Sequence, residues 1–253
     1  RYLVRCRGLG DVYKRQALNP DIAVIQECEP EEKLRRNGGL LSQRPIVWHA
    51  DPGAKKGVAV IAYGDYQLAI DECHDVSIKY VLPVRVKGPQ TFSLLAVWTK
   101  ENGPTREWYA GQAYRAVQRY ERLLAEGSAV MAGDFNHNPG SNGLIGDHPF
   151  AKAVVALHDH GMTSAYHYAH KRPIGAERHA THHNSMGGRA HVDYCFVPNG
   201  WLPFMRSAVV DRGKVWREAP SDHLPLIVDF DFGHEQAPSQ LWLSMLIKWL
   251  RRG

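Results

Sequence analysis

The stretch Ala129-Val130-Met131-Ala132-Gly133-Asp134-Phe135-Asn136 sets the tightest constraint on how this chain can fold. Its small and branched apolar residues read as a buried strand that stops at Gly133. Asp134 and Asn136 follow at the C-terminal end. In extended backbone, residues two apart point to one face, which aims a carboxylate and a carboxamide together beyond the strand. Gly133 permits close backbone approach, and Asn138-Pro139-Gly140 then forces a turn. Open α/β sheets bind ligands at the carboxyl ends of their strands, so this strand end is the first candidate site. Gly-Asp-x-Asn alone is equally consistent with a polar turn; its weight comes from other acid-bearing strand ends.

Those ends recur along the chain. Residues 21–27 read as a short buried strand closing on Glu27, and 57–63 as a second strand. Residues 80–86 and 91–98 form a strand pair joined through Lys87-Gly88-Pro89-Gln90. Ala113, Val117, Tyr120 and Leu124 carry a helical period over 109–126, ended by Gly127. A second helix spans 149–160, with Phe150, Val154 and Leu157 on one face. Residues 191–197 form a strand with Asp193 near its start, and Ser221-Asp222-His223 feeds a last strand over 224–232. Strands outnumber helices and many are joined by short turns. This predicts an α/β fold whose core is two packed mixed sheets flanked by helices, a four-layer sandwich rather than a purely parallel doubly wound sheet.

The chain has 253 residues, 44% of them hydrophobic, with no repeat and no proline-rich linker, which predicts one catalytic-size domain over 17–233. Residues 1–16 lack any clean period and are almost purely basic; the run Gly10–Gln16 resembles translated sequencing-adapter read-through, so this segment is expected to be a non-native or disordered leader. Residues 234–253 form a tail in which 241–250 are apolar nearly all round, read as a short docking helix, with a membrane-surface or oligomer contact as the alternative. No apolar run is long enough to span a bilayer. The net charge of +5 admits a polyanionic partner without demanding one. Cys6, Cys28, Cys73 and Cys195 show no disulfide framework, consistent with a reducing, cytoplasmic compartment. A monomer is expected.

Glu27, Asp134, Asn136, Asp193, Asp222 and His223 therefore sit at strand ends or in loops beside them. Several carboxylates brought together repel, and a hard divalent cation such as Mg²⁺ relieves that repulsion while keeping waters that a phosphate oxygen can replace. Phosphoryl transfer further needs a base for the attacking water and donors for the phosphate oxygens. An Asp-His pair divides such work, one residue on metal and the other on phosphate.

In this combination the sequence resembles the endonuclease/exonuclease/phosphatase superfamily, the divalent-metal phosphodiesterases that include DNase I-like and exonuclease III-like enzymes. The motifs are Ile25-Gln26-Glu27, Gly133-Asp134-Phe135-Asn136, Thr181 with Val192-Asp193-Tyr194, and Ser221-Asp222-His223, spread over residues 20–232. The resemblance implies a DNase I-like four-layer sandwich with the site at one edge of both sheets. It implies Glu27 as metal ligand with Asp222 as a second, the metal being Mg²⁺ or Mn²⁺. Asp134 would orient or deprotonate the attacking water, Asn136 would donate to the phosphate, and His223 would contact it while Asp193 fixes the imidazole. Two departures stand out. Nothing in 1–16 matches the Trp-Asn ending of the family's first strand, which predicts a missing strand and a missing catalytic amide. Where DNase I-like members carry a histidine, this chain has Trp98, which cannot act as an acid; Tyr109 is the candidate replacement.

His179, His182, His183 and His191 match no closed zinc site and read as part of a polar loop near phosphate. Arg178, Arg189, Lys171 and Arg172 in the same region either track a phosphate backbone or form a solvated basic loop. The expected function is a Mg²⁺-dependent nuclease acting on DNA or RNA. The alternatives are a phosphatase or phosphodiesterase for a small phosphoester or lipid head group, and a truncated, inactive phosphate- or nucleic-acid-binding remnant.

Overall fold

Among the described residues, short apolar runs pair into two six-stranded sheets. In the computed structural model the described residues are 2–6, 20–36, 43–100, 109–140, 143–144, 146–213 and 221–233; of 2–6, 36 and 109 only the backbone is described. In chain order they form β1 (Tyr2–Cys6), β2 (Ile22–Cys28), α1 (Glu31–Arg36), β3 (Ile46–His49), β4 (Gly57–Ala62), β5 (Gln67–Ile70), β6 (Val81–Lys87) and β7 (Phe92–Trp98). There follow α2 (Tyr109–Arg119), α3 (Glu121–Ala125), β8 (Ala129–Asp134), α4 (Pro149–Asp159), β9 (Met162–Ser164) and α5 (Ala165–His170). The last elements are β10 (His182–His183), β11 (Arg189–Ala190), β12 (Asp193–Pro198), β13 (Met205–Val210) and β14 (Leu226–Phe230). One sheet runs β13-β14-β1-β2-β4-β3, the other β5-β6-β7-β8-β12-β9, and β10 and β11 make a separate hairpin.

The central strands of both sheets are buried on two faces, which is why they read as continuous apolar runs, while β5 and β13 at the edges are more exposed. In β2, Ile22 and Val24 pack between the sheets, while Ala23 and Ile25 pack outward with Leu34 of α1. In β8, Val130 and Ala132 face the inter-sheet core, and Ala129 and Met131 face a layer built by Ala113 and Val117 of α2 and Phe150, Val154 and Leu157 of α4. Helix, sheet, sheet, helix is the four-layer sandwich expected from the sequence. Each fully buried Val, Leu, Ile or Phe contributes ~1.5–3 kcal/mol, so these layers outweigh any single polar contact in fixing the architecture.

The helix expected over 109–126 is broken at Tyr120, which leaves helical geometry at φ −105°, ψ 21°. Its ring is buried at 1% exposure, and its hydroxyl accepts the Asp75 N–H at 3.2 Å. Burying the aromatic ring with a satisfied hydroxyl overrides the helical period. The segment expected to be a disordered leader behaves differently over 2–6: β1 lies parallel to β2 and antiparallel to β14. Both neighbours would otherwise present unpaired backbone groups, and an extended stretch between them satisfies these whatever its side chains. The sheet therefore has a strand in the slot that the sequence left vacant. The rest of that leader and the apolar tail over 234–253 lie outside the described residues. Among the described residues no helix is long and apolar enough to cross a membrane.

Strand direction brings the candidate residues to one edge of the sandwich. β7 and β8 run parallel and end together at Trp98 and Asp134, and antiparallel β12 starts there with Asp193 opposite Asp134. In the other sheet β2 ends at Glu27 and Cys28, and β14, antiparallel to β1, begins just after Asp222 and His223. Gln26, fully buried, ties the two strand ends by donating from Nε2 to the Val97 carbonyl at 3.2 Å.

Candidate active site

Asp134 terminates β8 because Gly133 brings the backbone against its neighbour. Gly133 has φ +147°, and a Cβ there would collide with the Val97 carbonyl of β7. Gly133→Ala is accordingly expected to cost about 4 kcal/mol or more, read as a lowered denaturation midpoint. The Thr99 N–H donates to the Asp134 carbonyl at 2.9 Å, extending the parallel pairing one residue beyond both strands.

Asp134 and Asn136 do meet, but not through the extended alternation expected from sequence. Phe135 is fully buried against Phe150, Tyr194 and Phe196, and Asn136 then turns into left-handed backbone at φ +45°. Asn tolerates that conformation because its side chain bonds locally. The Asn136 backbone N–H donates to Asp134 Oδ1 and its Nδ2 to Asp134 Oδ2, each at 2.8 Å. The same Nδ2 donates to the Thr99 carbonyl at 2.6 Å. Both amide hydrogens are thus engaged, one on the Asp134 carboxylate and one on the Thr99 carbonyl; donation to phosphate, the role the resemblance implies, would require releasing one of them.

Asp193 and His223 complete a buried cluster. His223 Nδ1 lies 2.9 Å from Asp193 Oδ2, and its Nε2 faces Asp134 Oδ2 across 4.0 Å. That second gap is too long for a hydrogen bond but leaves room for an oxygen bonded to both. Asp193 is fully buried, Asp134 is 2% exposed and His223 5%. Burial acts to lower the His223 pKa, but the charge and hydrogen bond of Asp193, with smaller contributions from Asp134 and Asp222, outweigh it and raise the imidazole to about 9. His223 is therefore an imidazolium at neutral pH, with the Nδ1 proton directed at Asp193.

Thr181 locks this arrangement. Its fully buried Oγ1 accepts the N–H groups of both Val192 and Asp193, at 3.0 and 3.1 Å, and its carbonyl accepts the Leu224 N–H at 2.6 Å. One residue thereby fixes the Asp193 strand against the His223 loop. His182 adds a ring 4.7 Å from that of His223.

Glu27 and Asp222, the residues the resemblance assigns to metal, are more open. Glu27 sits at a register shift between Ile25 and Cys28 with φ +50°, a bulge that turns its side chain out of the strand's alternation. Its carboxylate pairs with Lys56 Nζ at 2.7 Å. Asp222 lies 3.7 Å from His182 Nε2. Their side chains are 23% and 33% exposed. Asp134, Asp193 and His223 offer a different donor set, all within 4.8 Å of one another. Asp193 Oδ1 in that set is buried without a hydrogen-bond partner among the described residues. A hard cation that retains waters prefers partly exposed carboxylate oxygens such as those of Glu27 and Asp222, whereas in the buried cluster the Asp134 oxygens and Asp193 Oδ2 already accept hydrogen bonds. Tyr109 begins α2; its side chain lies outside the described residues.

The structure also reveals partners that motif reading missed. Glu177 packs behind the site with a side chain 5% exposed, pairing with His167 Nε2 at 2.9 Å and accepting from Gly175 N–H and Asn138 Nδ2. Desolvation raises its pKa, but these hydrogen bonds overcome that and hold it at about 2. Of the four basic residues singled out from sequence, Arg178 and Arg189 line a common cleft with Arg212, while Lys171 and Arg172 do not. His179, His183 and His191 line the same cleft, and His182 instead joins His223.

Two face-packed mixed sheets with helices outside and an Asp–His–Asp cluster at their common edge define a DNase I-like fold, and comparison with solved structures agrees. An AP endonuclease from Archaeoglobus fulgidus superposes with a TM-score of 0.67 at 18% identity, over 91% of this chain and 98% of that one. The Neisseria 3′ phosphatase NExo, bound to product DNA hairpin, superposes with a TM-score of 0.65 at 20% identity, over 91% and 99%. The Xenopus laevis APE2 catalytic domain gives 0.69 at 13% identity, over 90% and 91%. No protein-family model matches the chain, and no curated protein does. At these identities the likeness establishes the shared fold.

Proposed function

We propose that the chain is a divalent-metal-dependent phosphodiester hydrolase acting on nucleic acid. The observation that carries this reading is the buried Asp193–His223 pair facing Asp134 across 4.0 Å at the sandwich edge. An imidazolium and a carboxylate at that separation are a donor and an acceptor for one reacting phosphate and its water. Asp134, oriented by Asn136, accepts the proton of the attacking water. His223 donates from Nε2 to a phosphate oxygen, and Asp193 keeps that ring charged and in register. Tyr109 is the proposed donor to the leaving oxygen. Glu27 and Asp222 would hold Mg²⁺ or Mn²⁺, which supplies charge neutralisation at the phosphate. Support for a nucleic-acid substrate comes from the solved structures of the same fold, one of them holding a product DNA hairpin, and from the net charge of +5.

The test is Mg²⁺-dependent hydrolysis of plasmid DNA, single-stranded DNA, RNA, an abasic duplex and bis(p-nitrophenyl) phosphate, with EDTA as control. Cleavage of at least one nucleic acid is expected. Silence on every nucleic acid with turnover of a small ester moves the substrate to a small phosphoester, and silence throughout leaves the binding-remnant alternative. Glu27→Gln is expected to raise the Mg²⁺ concentration for half-maximal activity at least ~10-fold. An unchanged metal titration would remove Glu27 from the metal site.

A further inference from the structure

A cleft of about 290 Å³ adjoins the Asp134–His223–Asp193 cluster, and Arg178, Arg189 and Arg212 line it. Glu177 is the one carboxylate among the described lining residues, and both of its oxygens are already held, by His167, the Gly175 N–H and Asn138. Among the described residues neither Arg178 nor Arg189 has a carboxylate partner. Arg178 and Arg189, lining one cleft without an ion pair among the described residues, repel each other, and an anion between them converts that repulsion into binding. The local field is already visible at His179, whose pKa is lowered first by burial and then by Arg212, His170 and Arg178.

Three chain segments lead directly from the cluster to this cleft. Asn138 lies two residues beyond Asn136, His191 two residues before Asp193, and His183 one residue beyond His182, whose ring packs on His223. Two residues span at most ~7 Å of chain, so the backbone of the His191 wall lies within that distance of the Asp193 backbone. One sugar with its two ester linkages spans such a gap.

We propose that this cleft binds a second phosphate, one nucleotide removed from the scissile one, so that the smallest good substrate is a dinucleotide carrying an additional phosphate. The inference rests on the phosphodiesterase reading for its turnover test and stands separately on binding. Arginine suits the task because its planar fork engages phosphate through two hydrogen bonds at once.

The test uses the full chain with Mg²⁺ and four substrates: a dinucleoside monophosphate, the same dinucleotide with a terminal 5′- or 3′-phosphate, and an unphosphorylated trinucleotide. A second phosphate should lower KM ~10–100-fold, on one side of the scissile bond and not the other. The trinucleotide tells whether an internal phosphate serves as well as a terminal one. In the Arg178→Gln/Arg189→Gln double variant the preference ratio should fall to about 1, and Arg178→Lys/Arg189→Lys should restore part of it. Titrating the phosphorylated dinucleotide into Asp134→Asn protein reads binding without turnover. Its affinity should depend on salt more steeply than that of the unphosphorylated one, by ~0.7 in log–log slope. Equal KM values for substrates with and without the second phosphate, or a double variant that keeps the preference, would overturn the proposal. If no substrate is hydrolysed, the phosphodiesterase reading fails, and the binding titration still decides for or against the cleft.

Discussion

Asp134→Asn is expected to lower kcat for Mg²⁺-dependent phosphodiester hydrolysis by ~10²–10⁴-fold, the range for loss of a general base. The structure gives a second reason beyond the lost basicity. Both Asp134 oxygens accept hydrogen bonds from Asn136, one from its backbone N–H and one from Nδ2. An amide at position 134 presents an N–H₂ group to one of those donors, so the turn that aims the side chain loses a partner, at a cost of ~1–3 kcal/mol. Thermal melts measured alongside the kinetics separate the two effects. A folded variant with kcat near the parent value would show that Asp134 is structural, and the base would have to be sought elsewhere on the sandwich edge. Asn136→Ala should have a smaller effect of the same kind, because it removes the positioning group and leaves the carboxylate.

Why the site was so far legible in the sequence follows from the same geometry. Asp134 and Asp193 lie at ends of strands buried on both faces, and a carboxylate closing a continuous apolar run stands out against it. Sheet direction then does what no local pattern could. It places the end of β8 opposite the start of β12, and the His223 loop beside both, through pairings between residues far apart in the chain. The left-handed turn at Asn136 was invisible because it is imposed by Phe135 entering the helix-side core. Arg212 was passed over because it follows β13 as an ordinary Asp-Arg-Gly turn, and only the fold brings it to Arg178 and Arg189. The β1 slot shows the converse. Its occupancy depends on backbone pairing with β2 and β14, which side-chain periodicity does not report. Tyr120 shows tertiary packing overriding a helical pattern that continues on both sides of it.

A large, pH-dependent effect on stability is expected from Asp193→Asn. His223 rises from 6.5 to about 9 in the folded protein, with burial opposing the shift and Asp193 the first of the groups that produce it. Between those values the folded chain holds a proton that the unfolded chain releases, so stability falls as pH rises through that window. The contribution is complete below pH 6.5 and gone above about 9, and the shift of that size corresponds to ~3 kcal/mol. Asp134 and Asp222 face the same ring and retain part of the shift, so the variant should lose most of this contribution rather than all of it. In EDTA, urea denaturation of the parent at pH 6 and pH 9 should differ by more than that of Asp193→Asn, whose curve should be the flatter. The difference between the two proteins cancels groups that titrate alike in both. Parallel stability curves would mean that the Asp193–His223 hydrogen bond holds a neutral imidazole. The site would then have no cation of its own to offer the phosphate, and charge neutralisation would fall to the metal at Glu27 and Asp222 and to the arginines of the neighbouring cleft.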